Sequence, residues 1–156
     1  MKIRLIAVGT RMPSWVRAGI TEYSKRLPQD FELIIIEIPL APRGKSADLK
    51  KAIAREGEAC LEAVGKGDYL VALDVAGQSF GTATLAAKVS GIRESGRNLA
   101  LLVGGPDGLA AQCLERADAC WSLSALTLPH PVVRVVVAEQ FYRVWSFLNK
   151  HPYHRA

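Results

Sequence analysis

Cysteine is scarce in this sequence, and long apolar runs are missing. The 156 residues include three cysteines, Cys60, Cys113 and Cys120, and their odd number without CxxC spacing argues against a disulfide framework and a zinc ribbon. No window reaches about 18 uninterrupted apolar residues, so we expect no transmembrane helix and no membrane partner. The start alternates charged and apolar residues, unlike a secretory signal. We therefore expect a cytoplasmic protein with reduced thiols.

The composition that remains is typical of one folded domain, which we expect to span residues 1–156. Hydrophobic residues make up 49% and charged residues 22%, and no repeat, low-complexity tract or linker divides the chain. The formal net charge is +5, with basic ends around a mildly acidic middle. This distribution suits an anionic macromolecule that touches the ends, although basic proteins with other partners are common.

Strand and helix patterns alternate along the chain. Short apolar runs predict strands at residues 2–8, 31–38, 69–73 and 99–103. Helical spacing predicts helices after Pro13 and at residues 48–64, 82–92, 109–117 and 131–147, with Thr82 as a candidate cap. Residues 121–129 fit a strand that enters a loop. Strands separated by helices of this length pair in parallel, so the sequence predicts an α/β fold with a mainly parallel sheet and helices on both faces.

Three predicted strand ends carry residues suited to a small molecule, namely residues 73–77, 103–108 and 122–129. Ligands of open parallel sheets bind beyond the carboxyl ends of the strands. Gly104 and Gly105 would let the backbone approach a ligand, but they would also suit a plain tight turn. The pattern matches neither the dinucleotide nor the triphosphate fingerprint. Leu123, Leu126 and Leu128 would supply an apolar wall for an adenine.

Other chemistries find little support in the residues. A metal site would need His130 in addition to His151 and His154, so we expect no metal. Ser122 and Ser124 lack base and acid partners for a nucleophile. The segment 43–45 is expected to touch phosphate or nothing. The three tryptophans are expected to fill the core or an interface: Trp15, Trp121 and Trp145.

The C-terminal tail concentrates polar chemistry in residues 151–155. His151, Tyr153, His154 and Arg155 together offer two imidazoles, a phenol and a guanidinium. Arg155 suits a phosphate or a base edge, Tyr153 suits stacking, and His154 exchanges a proton near neutral pH. The alternative is a solvated helix end whose cations interact with the helix dipole.

In their order and spacing, these segments resemble the RlmH family of SPOUT-class methyltransferases. The residues that carry the resemblance extend over nearly the whole length: 7–10, 12–13, 21–23, 43–45, 73–74, 104–109, 123–131, Arg134, 138–140, 142–143 and 151–155. The resemblance implies methylation of N3 of a pseudouridine in large-subunit (23S) ribosomal RNA, on the assembled ribosome, with S-adenosyl-L-methionine as cofactor. It also implies a C-terminal trefoil knot and a homodimer.

The resemblance also assigns the cofactor residues and places the C-terminal tail at the target nucleotide, where the chemistry of methyl transfer to N3 suggests the role of each tail residue. Cofactor contacts are expected at Leu73, Gly104, Gly105, Leu123, Ser124, Ala125, Leu126, Thr127 and Leu128. His154 is expected to accept a proton, Arg155 and Arg143 to stabilise an anion or hold phosphate, and Tyr153 to stack on the target nucleotide. Two alternatives stay open, a non-catalytic RNA-binding domain and a SPOUT enzyme that acts on transfer RNA or on a ribose oxygen.

Overall fold

Five apolar runs form the strands of one sheet. The computed structural model describes residues 1–44 and 46–155, and these residues form β1 (Lys2–Val8), β2 (Glu32–Ile38), β3 (Tyr69–Ser79), β4 (Leu99–Val103) and β5 (Ala119–Ser122). The order across the sheet is β2-β1-β4-β3-β5, and every strand pairing is parallel. The predicted α/β fold with a parallel sheet is confirmed.

Helices cover both faces of this sheet, as predicted. The described residues form α1 (Ser14–Ser24), α2 (Ser46–Glu62), α3 (Thr82–Glu94), α4 (Ala111–Arg116) and α5 (His130–Leu148), followed by a 3-10 turn (Pro152–Arg155). Helices α1, α3 and α5 pack together on one face, and α2 and α4 pack on the other. None of the helices in the described part of the chain is long and apolar enough to cross a membrane.

Strand β1 is apolar on both faces because helices cover both faces of the sheet. Ile3 and Leu5 are buried with Phe141 of α5 on one face, whereas Ile6 and Val8 are buried with α2 and α4 on the other. Alternate strand residues point to opposite faces, so a parallel strand covered on both sides reads as a continuous apolar run. This double burial fixes the position of the strand ends.

Strand β3 differs from its prediction, because it continues to Ser79 rather than ending at Leu73. Its pairing with β5 is irregular, since Trp121 lies opposite both Leu73 and Gln78. A Cβ at Gly77 would lie 2.7 Å from the carbonyl carbon of Trp121, so this close approach of two backbones requires glycine.

The cap of α3 differs from expectation, whereas the helical state of α5 agrees with it. Thr82 does not cap α3, because Gly81 occupies the cap position and the Thr82 hydroxyl donates to Oε1 of Gln140 at 3.0 Å. In α5 the β-branched run 132–137 is helical, as predicted, despite its strand propensity. Burial of Val137 and Val144 against the sheet outweighs that propensity.

Candidate functional site

The middle of β3, where its pairing with β5 becomes irregular, and the carboxyl ends of β4 and β5 surround one cavity of about 650 Å³. Its walls come from the three predicted strand ends and from the first turn of α5, including His130. Eight of the nine predicted cofactor residues line it: Leu73, Gly104, Gly105, Leu123, Ser124, Leu126, Thr127 and Leu128. Ala125 is not among the lining residues. The volume falls within the range of small-molecule sites, about 300–1,000 Å³.

The glycine turn after β4 forms one wall of the cavity. A Cβ at Gly104 would lie 2.4 Å from the carbonyl carbon of Gly108, and one at Gly105 would lie 3.0 Å from a methyl carbon of Val8. Gly108 has a φ of +80°, and its N–H donates to the Gly105 carbonyl at 3.1 Å. Packing of the turn therefore explains both Gly104 and Gly105 without a ligand.

The loop after β5 forms the opposite wall and is held by its own hydrogen bonds. The Ser122 hydroxyl donates to the Ser124 carbonyl at 2.9 Å, and the Leu126 N–H donates to the Ser124 hydroxyl at 3.0 Å. The side chain of Leu126 is left 73% exposed at the mouth. These bonds fix an apolar, backbone-rich surface of the kind that holds a nucleobase.

The charges of the wall suit a ligand with a positive centre. Among the described lining residues Asp74 is the single carboxylate, and its Oδ1 accepts the Ala76 N–H at 2.9 Å. Burial, and then the neighbouring Arg134 guanidinium, lower the pKa of His130, so that ring is neutral at pH 7. A sulfonium cofactor thus meets apolar and neutral groups and one carboxylate, and the residues present fit S-adenosyl-L-methionine.

The C-terminal tail folds back onto α5 around one carboxylate, Glu139. Tyr153 donates its hydroxyl to Glu139 Oε1 at 3.0 Å, and Arg143 Nε donates to the same oxygen at 2.9 Å. The Arg143 guanidinium lies 4.9 Å from the centre of the Tyr153 ring, and the Tyr142 ring centre lies 4.6 Å away. Burial, reinforced by Glu139, raises the pKa of Tyr153, so its phenol stays protonated.

The last two predicted catalytic residues lie beyond this cluster. The His154 Nδ1 contacts the His151 carbonyl oxygen, and its ring packs edge-on against Phe147 at 5.4 Å. Arg155 is exposed, and its guanidinium makes no hydrogen bond or ion pair with the residues in 1–44 and 46–155. The two differ, since His154 is held in place whereas Arg155 is available to an outside group.

Within one chain, the tail and the cavity lie toward opposite ends of α5. His130 begins the helix at the cavity, and Phe147, which His154 contacts, lies 17 residues further on. At about 1.5 Å per residue these positions are about 25 Å apart. The structure therefore gathers the predicted cofactor residues in one place and the predicted catalytic residues in another.

Arg43 has a different role from the predicted phosphate contact. Its Nη2 lies 3.0 Å from Asp107 Oδ2, and its guanidinium also pairs with Glu56, whose carboxylate is buried. Asp107 belongs to the glycine turn, so Arg43 connects α2 to the cavity wall. Lys45, the last residue of that predicted segment, lies outside the residues that the structure describes.

Two residues of these sites have roles that the sequence did not indicate: Glu139, which holds the tail, and His130 at the cavity wall. Glu139 is the single acidic residue of 129–156, and this isolation among cations was a usable signal. No group of three or more His, Cys, Asp or Glu residues in the described chain is arranged to hold a metal ion.

Comparison with known proteins agrees with the fold of the sheet and its helices. The family model described as "Predicted SPOUT methyltransferase" matches residues 1–154, and the chain therefore belongs to the SPOUT methyltransferase family. A methylase family protein of Neisseria gonorrhoeae has a similar fold, with a TM-score of 0.52 and 14% identity over 90% of this chain and 81% of that chain.

Two curated relatives narrow the class. A ribosomal RNA large subunit methyltransferase H of Marinomonas sp. (strain MWYL1) is 56% identical over 155 residues, which cover 99% of this chain and 100% of that protein. The protein of the same name from Saccharophagus degradans (strain 2-40 / ATCC 43961 / DSM 17024) is 54% identical with the same coverage. The resemblance to the RlmH family, drawn from the motifs, is confirmed.

Proposed function

We propose that this protein transfers a methyl group from S-adenosyl-L-methionine to N3 of a pseudouridine in large-subunit ribosomal RNA, on the assembled ribosome. The observation that carries the proposal is the cavity at three strand ends, in a chain whose full-length relatives are named ribosomal RNA large subunit methyltransferase H. The basic ends of the chain suit an RNA substrate.

The cofactor is assigned to the cavity. Leu73, the Gly104–Gly105 turn and the loop 123–128 would hold it, and Asp74 would face its positive charge. The bound cofactor supplies an electrophilic methyl group. The protein contributes position and an apolar wall, because alignment of the reacting atoms supplies much of the catalysis of such a transfer. Ala125 does not line the cavity, so it is included in this assignment only as a member of the loop 123–128.

The tail is assigned to the target nucleotide. N3 of pseudouridine carries a proton that must leave, and His154 is the acceptor we propose. Arg155 would hold phosphate or stabilise the ring anion, because its head group has no partner among the described residues. Tyr153 keeps its proton and donates to Glu139, so it would stack rather than act as a base. Arg143, bound to Glu139, would position Tyr153.

A complete site then requires two copies of the chain. The rise along α5 is about 14 Å from His130 to Glu139, which Tyr153 contacts, and about 25 Å from His130 to Phe147, which His154 contacts. These distances keep the tail of one chain away from its own cavity. We propose a homodimer in which the tail of one protomer meets the cavity of its partner, since a two-fold axis would create two such sites. The single domain of residues 1–156 and the C-terminal knot belong to the same proposal and rest on the family.

The test is product identification. Purified protein is incubated with labelled S-adenosyl-L-methionine and ribosomes that lack the modification, and the RNA is digested and analysed by mass spectrometry. Label on N3-methylpseudouridine is expected, and already modified ribosomes are the control. Label on transfer RNA or on a ribose would overturn the proposed target. Absence of both label and cofactor binding in calorimetry would leave an RNA-binding domain.

A further inference from the structure

Two residues other than glycine have left-handed backbone angles in the described chain, and both are cations. Arg11 has a φ of 58° and Lys150 a φ of 56°, whereas the other positive angles fall on glycines. Lys150 follows the end of α5, where the His151 N–H donates to the Ser146 carbonyl at 2.8 Å. Helices commonly end in this way, so the angle of Lys150 is explained.

Arg11 has no such explanation. It lies in the turn between β1 and α1, where the left-handed angle strains a bulky side chain and would suit glycine or asparagine. Its side chain is exposed and forms no hydrogen bond or ion pair with any residue that the structure describes. The neighbouring Met12 side chain is buried and holds the backbone of the turn, whereas the Arg11 guanidinium takes no part in that packing. The guanidinium is therefore available to a group outside the chain.

Hydrogen bonds from a buried arginine fix the start of the turn that carries Arg11. Arg134 is fully buried, donates to the Gly9 carbonyl at 2.8 Å and pairs with Glu37 at 2.6 Å. The Gly9 N–H donates to the Ile38 carbonyl at 2.7 Å. A buried cation thus fixes the backbone two residues before Arg11, which presents the exposed guanidinium from a defined position.

That position adjoins the cavity. A Cβ at Gly9 would lie 3.1 Å from Cε1 of His130, and His130 lines the cavity. Two residues of extended chain span at most about 7 Å, so Arg11 lies at the same edge of the sheet. Trp15, four residues after Arg11, is 57% exposed rather than buried in the core. Arg11 and Trp15 are thus two exposed residues four positions apart in sequence, and they offer the two groups that commonly recognise RNA, a cation for phosphate and a ring for stacking.

We propose that Arg11 binds a backbone phosphate of the RNA substrate beside the cavity, with Trp15 packed on a neighbouring base or ribose. The identity of the RNA rests on the proposed function, but the contact itself does not depend on turnover. A planar guanidinium binds phosphate through two parallel N–H bonds, which suits a rigidly presented arginine better than a lysine.

The test compares the Arg11→Asn variant with a matched control, Lys66→Asn. Arg11→Asn accepts the left-handed angle and removes the charge. Lys66→Asn removes an exposed cation that precedes β3 at the opposite edge of the sheet. Binding to unmodified large-subunit RNA is measured at several salt concentrations with S-adenosyl-L-methionine present. We expect Arg11→Asn to weaken binding about tenfold and to lower the salt slope by about one, with unchanged cofactor affinity and no loss of Tm.

Three outcomes would overturn the inference. The first is wild-type RNA affinity and salt slope in Arg11→Asn. The second is an equal loss in Lys66→Asn, which would indicate charge alone. The third is a change of oligomeric state in Arg11→Asn or Trp15→Ala, seen by sedimentation, which would assign this surface to a protein interface. A wild-type protein that binds RNA but transfers no methyl group would instead contradict the proposed function and leave the Arg11 contact testable.

Discussion

The two ends of α5 are built in opposite ways. At its start, the cavity wall is shaped by backbone, because the glycine turn after β4 packs against itself with no room for a Cβ at Gly104. Along its second half, from Glu139 onward, the tail is shaped by side chains, because Tyr153 and Arg143 share the Glu139 carboxylate. The cavity is therefore intolerant of added atoms, whereas the tail is sensitive to the loss of single polar groups.

The cavity and the tail also differ in charge. The cavity wall is apolar, with a neutral His130 and the carboxylate of Asp74. The segment 139–156 carries three Lys or Arg residues and one acidic residue, Glu139. One end thus suits a small cationic cofactor, and the other suits a polyanion. A division of this kind places binding of the methyl donor and binding of RNA on separate surfaces.

The largest effect is expected from Gly104→Ala. Its Cβ would lie 2.4 Å from the Gly108 carbonyl carbon, so the backbone of the turn must shift and the cavity wall with it. We expect a loss of cofactor affinity of about 100-fold or more in calorimetry, with a destabilisation of about 1–3 kcal/mol. Gly91→Ala, where nothing lies within 4 Å, is the control and should be neutral or stabilising by up to about 1 kcal/mol. Wild-type cofactor affinity in Gly104→Ala would contradict the backbone-built cavity.

A smaller effect, a partial recovery of methyl transfer, is expected when a cavity variant and a tail variant are mixed and exchange subunits. Gly104→Ala and Arg155→Ala are each expected to lose most activity, the first at the cavity and the second at the tail. If the tail of one protomer serves the cavity of its partner, mixed dimers contain one intact pair, and about a quarter of all sites regain activity after subunit exchange. Methyl transfer before and after exchange is the readout. If activity does not recover although mass spectrometry shows that subunits have exchanged, the tail and the cavity of one site do not come from two different protomers.

Much of the cavity was predictable from local patterns. Short apolar strands alternate with helices, and the carboxyl ends of parallel strands lie at one edge of a sheet, so the segments near Leu73, Gly104 and Leu123 were expected to meet. These rules depend on chain-local periodicity and on general topology. They succeeded because both faces of the sheet are covered, which makes each strand distinct in sequence.

The features that were missed depend on contacts distant in sequence. The extension of β3 to Ser79 comes from pairing with Trp121, and residues such as Ala76 and Gly77 carry no strand signal of their own. The burial of Arg134 depends on carbonyls about 125 residues away in the turn after β1. A charged residue in a helix normally indicates the solvent side, so no periodicity rule identifies this one as buried.

The smallest predicted effect is on the pH dependence of stability, and it tests whether His130 leaves the cavity wall uncharged. Its folded-state pKa is lowered by burial and by Arg134, below the ordinary value of about 6.5 of the unfolded chain. The unfolded state therefore binds the proton more readily, so the contribution to stability is fully present above pH 6.5 and is lost as the pH falls below it. His130→Gln, which does not titrate, should lose less stability than wild type between pH 7 and pH 5, by at most about 1.4 kcal/mol per pH unit in urea unfolding. Parallel curves would mean that the folded protein protonates His130 as readily as the unfolded chain does, and the cavity wall would then gain a positive charge as the pH falls through about 6.5.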